Sequence, residues 1–200
     1  KGMTYMAFLA SGVICTSAVN SASFEGMYSA YTRMEVQQTW LGMLATPIGV
    51  AEVVFGEILW AATKSVISVG AILIVAALLG LVENIGALMI LPVAFLTGLC
   101  FSSLALLVTS SAKSYDFFLY YTTLFITPMV LLSGVFFPID TLPSLVQWVA
   151  KVLPLYHAIS LVRPLMTGGE ITSIFMHVFI LIAFGSVAAF IATYKIKKRL

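Results

Sequence analysis

Apolar residues in this chain do not alternate with polar ones. They run on without a charge for the length of a membrane crossing, over residues 2–24, 65–82, 84–112, 117–139 and 171–194. A stretch of roughly 18 or more apolar residues lets an α-helix cross about 30 Å of hydrocarbon. A barrel strand would alternate apolar and polar positions over about ten residues, and AILIVAALLGLV, from Ala71 to Val82, does not. The pattern therefore predicts an all-α protein, a polytopic transmembrane helical bundle, as one membrane domain over residues 1–200 with five visible spans.

Two segments break the pattern. Residues 25–60 form a long connection in which apolar positions recur at mixed spacings of three and four, among them Met27, Tyr31, Met34, Leu41, Leu44 and Ile48. This predicts short amphipathic helices at the membrane surface, with a turn at Pro47, because proline disfavours helical geometry in the residue before it. Such a connection serves either as an interfacial loop or as a docking surface for a soluble partner. Residues 127–169 hold Pro128, Pro138, Pro143, Pro154 and Pro164, five of the seven prolines. Between them lie SLVQWVAKVL and LYHAISLVR, too short to cross, with Trp148 and Tyr156 suited to the headgroup level. These pieces read as re-entrant or interfacial helices.

Composition strengthens the membrane assignment: 61% of residues are hydrophobic and 9% charged, against roughly 25% charged in an average soluble domain. Lys195, Lys197, Lys198 and Arg199 follow the last span closely, which predicts a cytoplasmic C-terminus because flanking cations stay inside. Five spans then place Arg33, Lys64 and Lys113 inside, and Lys1, Lys151 and Arg163 outside. Cys15 and Cys100 sit in different runs and read as small packing residues. The opening KGMTYM lacks an initiator Met and a basic signal region, so the chain reads as a fragment whose start is missing.

Motifs for chemistry are sparse. A phosphate-cradling loop needs GxxxxGK followed by Ser or Thr, and the nearest stretch, Gly56 to Lys64, has the wrong spacing. Ser133 can be nominated as a nucleophile with His157 or His177 as base, but nothing in the sequence brings them together; Ser133 beside Gly134 reads as a helix end. Apart from His177 the runs carry no ionisable residue of the kind that ion-coupled transport places inside a span. Glu57 and Lys64 lie at the edge of a run and share a helix face with Trp60. No metal cluster and no nucleic-acid surface is expected. A transporter of this kind needs its energy from a separate ATPase, docked on the connection.

TWLGMLATPIGVAEVVFGEILWAATKS, SYDFFLYYTTLFITPMVLLSGVFFPIDTLP and LPLYHAISLVRPLMTGG resemble the type-2 export permeases of ATP-binding-cassette transporters, and among them the nodulation protein J group. The resemblance covers nearly the whole chain. It implies a six-span permease of the bacterial inner membrane with both ends cytoplasmic, the first visible run being the second span and an amphipathic segment plus first span preceding it. It implies a homodimer joined to a cytoplasmic ATP-binding-cassette ATPase, which handles ATP and Mg while this chain binds no cofactor. The implied cargo is a lipid-linked saccharide or lipo-oligosaccharide, with drug efflux as the alternative and an intramembrane serine hydrolase as the alternative of another class. By position, the coupling region that receives the ATPase corresponds to Arg33, Glu35, Thr39, Trp40, Leu41, Leu44, Thr46 and Pro47. Residues 138–164 correspond to the outer re-entrant helices. Candidates for the translocation path are Tyr120, Tyr121, Phe125, Phe136 and Phe137, each of which helix packing explains as well.

Overall fold

In hydrocarbon no water is available to backbone N–H and C=O groups, so a crossing segment must satisfy them within itself. The computed structural model, which describes residues 4–82, 84–169 and 172–200, meets that constraint with helices throughout, and no strand occurs among the described residues. Lys1, the start of the first run, Glu83 and Ile171 lie outside the described residues.

Helix α1 (Tyr5–Phe24) runs on through two π-helical turns, Glu25–Ser29 and Thr32–Val36, as one helix of 32 residues, Tyr5–Val36. Gln38, in the left-handed region at φ 53°, turns the chain into the short α2 (Thr39–Leu44). Helix α3 follows (Val50–Leu78), then a 3-10 turn (Ile85–Met89) capped by the Asn84 carboxamide, which accepts from the Gly86 N–H at 3.1 Å, and α4 (Ile90–Thr109). Helix α5 (Asp116–Tyr121), a π turn (Thr122–Ile126) and α6 (Thr127–Leu132) are continuous. A 3-10 turn (Ile139–Thr141), α7 (Ser144–Val152), α8 (Pro154–Thr167) and α9 (Ile174–Arg199) complete the chain.

Among the described residues four helices are long and apolar enough to cross a membrane: Tyr5–Val36, Val50–Leu78, Gly86–Thr109 and Ile174–Arg199. The boundaries differ from the sequence expectation in two places. The connection expected over residues 25–60 shrinks to α2 and its flanking turns, because helix continues to Val36 and resumes at Val50. Charge counting ended the span at Phe24, yet Glu25 and Arg33 stay helical by pairing with each other and with α3. The run at residues 117–139 becomes the 17-residue helix Asp116–Leu132, about 25 Å long, and ends at a turn through Gly134, whose φ of +82° suits glycine. Its π turn precedes Pro128, which sits in the first turn of α6. Helices α7 and α8 meet at 88°, so the segment between Pro143 and Thr167 is two short helices with a sharp break at Leu153.

Helix α4 is the hub: α1, α3, α8 and α9 all pack on it. Lipid tails are as apolar as leucine, so helices in a bilayer associate through close packing rather than a water-driven hydrophobic effect. At Gly98 the backbones of α4 and α3 come so near that an added Cβ would lie 2.8 Å from the Ala62 Cα. The Ser65 hydroxyl on the same face of α3 donates to the Ala18 carbonyl of α1 at 3.0 Å. Three helices thus meet through small residues.

Gly98→Ala should therefore destabilise the protein by about 1–3 kcal/mol, the usual range for overpacking. Gly56→Ala, where the new Cβ meets nothing within 4 Å on an exposed face of α3, should be neutral or stabilising. Thermal unfolding in detergent distinguishes the two.

Candidate partner-docking site

Four of the charges that interrupt the apolar pattern, Glu25, Arg33, Glu57 and Lys64, converge at one end of the bundle. Arg33, in the last turns of the first long helix, donates from Nε to Glu57 Oε1 of α3 at 2.8 Å and from Nη2 to both Glu57 Oε2 and Glu25 Oε1, the latter at 2.9 Å. Lys64, two turns beyond Glu57, reaches the other Glu25 oxygen at 2.6 Å. Glu25 and Glu57 are only 5% and 8% exposed, so each carboxylate depends on these cations for what water would otherwise supply. Two acids and two bases close the network without net charge.

Trp40 ties α2 into the network. Its indole is fully buried and donates from Nε1 to Glu57 Oε1 at 3.1 Å. Leu44 packs on the same apolar cluster, which includes Met34, Val53, Ile58, Leu106 and Phe118. The Thr39 hydroxyl donates to the Arg33 carbonyl at 2.9 Å, and that of Thr46 to the Met43 carbonyl at 2.6 Å. One side of α2 is thus anchored, while Leu41, Met43 and Ile48 stay 47%, 42% and 45% exposed. Met43 and Ile48 border a hollow of about 450 Å³ whose floor includes Arg33 and Glu57 and whose wall includes Glu52 and Trp60.

The structure brings the eight residues expected to receive a partner into one region and divides them. Arg33, Trp40 and Leu44 hold the scaffold, whereas Leu41, Thr46 and Pro47 face outward. Glu35 turns aside to pair with Arg199 of α9 at 2.8 Å. The sequence does not reveal that Glu25 and Glu57 share Arg33, because the two acids lie 32 positions apart and reach the same guanidinium only when the first long helix packs on α3.

The five aromatic path candidates do not form one surface. Tyr121 stacks on Phe125 with ring centroids 5.6 Å apart, and its buried hydroxyl has no partner. Tyr120, Phe125 and Phe137 are exposed. Phe136 lies elsewhere, at the rim of a hollow of about 360 Å³ along α1 with Thr16, Ser17, Asn20 and Phe24. That polar stripe, spaced three and four apart within an apolar run, is written in the sequence as TSAVN. Ser133 is buried and no hydrogen bond joins it to a histidine; His157 and His177 bond each other through Nδ1 at 2.7 Å.

Residues 2–167 match the family described as ABC-2 type transporter. Over 199 residues the chain is 45% identical to nodulation protein J of Rhizobium leguminosarum bv. trifolii and 42% identical to that of Rhizobium meliloti, in each case covering 100% of this chain and 76% of the relative. Nodulation protein J of Azorhizobium caulinodans is 34% identical over the same length, with 78% of it covered. No solved structure matches.

Glu57→Ala removes the acceptor shared by Arg33 and Trp40 and should free α2, at a cost of about 2 kcal/mol or more for lost charged hydrogen bonds. In a Trp60→Phe, Trp148→Phe background, iodide should quench Trp40 weakly in the parent and several-fold more strongly in the Glu57→Ala variant.

Proposed function

The chain belongs to the ABC-2 type transporter family, and from that membership we propose that it is the membrane-spanning subunit of an ATP-binding-cassette exporter, driven by a separate cytoplasmic ATPase. In this reading two copies form the permease in the bacterial inner membrane, with the C-terminus cytoplasmic. The cargo is an amphiphile, a lipid-linked saccharide or lipo-oligosaccharide, moved outward. ATP and Mg belong to the ATPase.

The observation that carries the reading is the construction of α2. A six-residue helix with exposed Leu41 and Met43 is held against α1 and α3 through the buried Trp40 and Glu57. A partner that grips the exposed side moves the anchored side with it, because packed helices shift as bodies rather than deform continuously. Nucleotide drives the change only in so far as it binds one state of the ATPase better than the other. At the other end α7 and α8, bent at 88°, border the exit in this reading, and the Thr16, Ser17 and Asn20 stripe offers hydroxyl and amide partners for sugar beside apolar surface for lipid.

Leu41→Asp combined with Met43→Asp should lower copurification of the ATPase at least tenfold and abolish export, while membrane abundance of the permease stays unchanged. Undiminished copurification would remove α2 from the docking role. Orientation is tested separately: a reporter fused after Leu200 should be cytoplasmic and one at Thr141 external.

A further inference from the structure

We propose that the end of the bundle bearing Arg199 holds the phosphate headgroup of an anionic membrane phospholipid, in the cleft between the last turns of α4 and α9. The cleft has a volume of about 500 Å³ and is bordered by Ser110, Ser111, Lys113, Lys195, Lys198 and Arg199. Arg199 is committed to the fold. It pairs with Glu35 at 2.8 Å, and its Nη1 donates to the Thr109 and Ser110 carbonyls at 3.1 and 3.2 Å. Those contacts cap the C-terminal carbonyls of α4 and offset the partial negative charge that would otherwise repel an anion.

The lysines are not so committed. Lys195 donates to the Ser111 hydroxyl at 3.0 Å, and among the described residues no carboxylate lies within ion-pair distance of Lys113, Lys195 or Lys198. The acids facing this end are Glu35, already taken by Arg199, and the exposed Asp116, three residues beyond Lys113. Three ammonium groups therefore surround a concave space with hydroxyls on its wall. A phosphate diester offers the oxygens that such donors need, and clustered cations beside a membrane span attract anionic lipid.

The surface leading to the cleft favours a lipid over a free phosphate. Val187, Phe190, Ile191 and Tyr194 form an exposed stripe along α9 at spacings of three and four, Phe190 being 74% and Tyr194 66% exposed. Lys198 lies one further turn along that stripe, and Lys195 borders it. An acyl chain on the stripe brings its own phosphate to the lysines. Lysine stems laid along apolar surface present their charge at that depth.

The full chain, purified in a mild detergent, is titrated with dioleoylphosphatidylglycerol and bound lipid is counted by native mass spectrometry. The triple variant Lys113→Gln, Lys195→Gln, Lys198→Gln should retain at least tenfold less lipid, and the corresponding triple arginine variant should retain it within twofold. Lys198→Gln alone, an exposed single change, should weaken retention about threefold and serves if the triple glutamine variant does not fold. Lys151→Gln, at the opposite end, should have no effect. Unchanged retention in the glutamine variants would overturn the proposal. Equal retention of dioleoylphosphatidylcholine would do the same by reducing the site to its apolar stripe, and displacement of the lipid by an equal concentration of glycerol 3-phosphate would assign the cleft to free phosphate instead.

Discussion

Glu57 has two oxygens and three donors. Arg33 takes both oxygens, Trp40 shares one, and through Arg33 the carboxylate is linked to Glu25 and Lys64. A carboxylate this buried costs several kcal/mol to desolvate, and the donors that offset that cost come from two other segments, Arg33 of the first long helix and Trp40 of α2. The same contacts that satisfy the charge join α1, α2 and α3 into one body. They explain why helix persists through Glu25 and Arg33, and why a six-residue helix, too short to be stable by itself, keeps its place.

The rest of the bundle is assembled with little polar bonding between side chains. Hydroxyls inside the long helices mostly donate back to carbonyls three or four residues earlier, as Thr16 does to Gly12, Thr97 to Val93 and Thr193 to Ala189. Such bonding lets a polar residue sit in an apolar helix without a tertiary partner. Close approach at Gly98 and Ala62 then becomes the contact between α3 and α4, with Ser65 reaching across to α1.

The opposite end is organised around Arg163 and the histidine pair. Arg163 donates to the Ser11 hydroxyl at 3.1 Å and the Gly134 carbonyl at 2.7 Å, with its guanidinium 3.8 Å from the Phe8 ring centroid. It joins α8 to α1 and to the turn after α6. The bond between His157 and His177 joins α8 to α9. Helix α8 is thus tied to the bundle at a few polar points, whereas the end bearing Glu57 is tied by a continuous charged network.

Sequence alone determined the class of fold and the family, because both are written in local pattern: uncharged runs of crossing length and motifs such as SYDFF read without knowledge of what touches what. The connection around α2 and the proline-broken segment stand out in the sequence for the same reason, since both interrupt the uncharged runs. Tertiary structure decided where helices end and what the charges do. Phe24 reads as a span end only while Glu25 and Arg33 stand alone; with Glu57 and Lys64 opposite them the helix runs on to Val36. Trp40 and Leu41 are neighbours that both carry large apolar side chains, yet one is fully buried and the other 47% exposed, because only Trp40 points toward α3. Burial and ion pairing depend on residues tens of positions apart meeting in space, and no local pattern encodes that meeting.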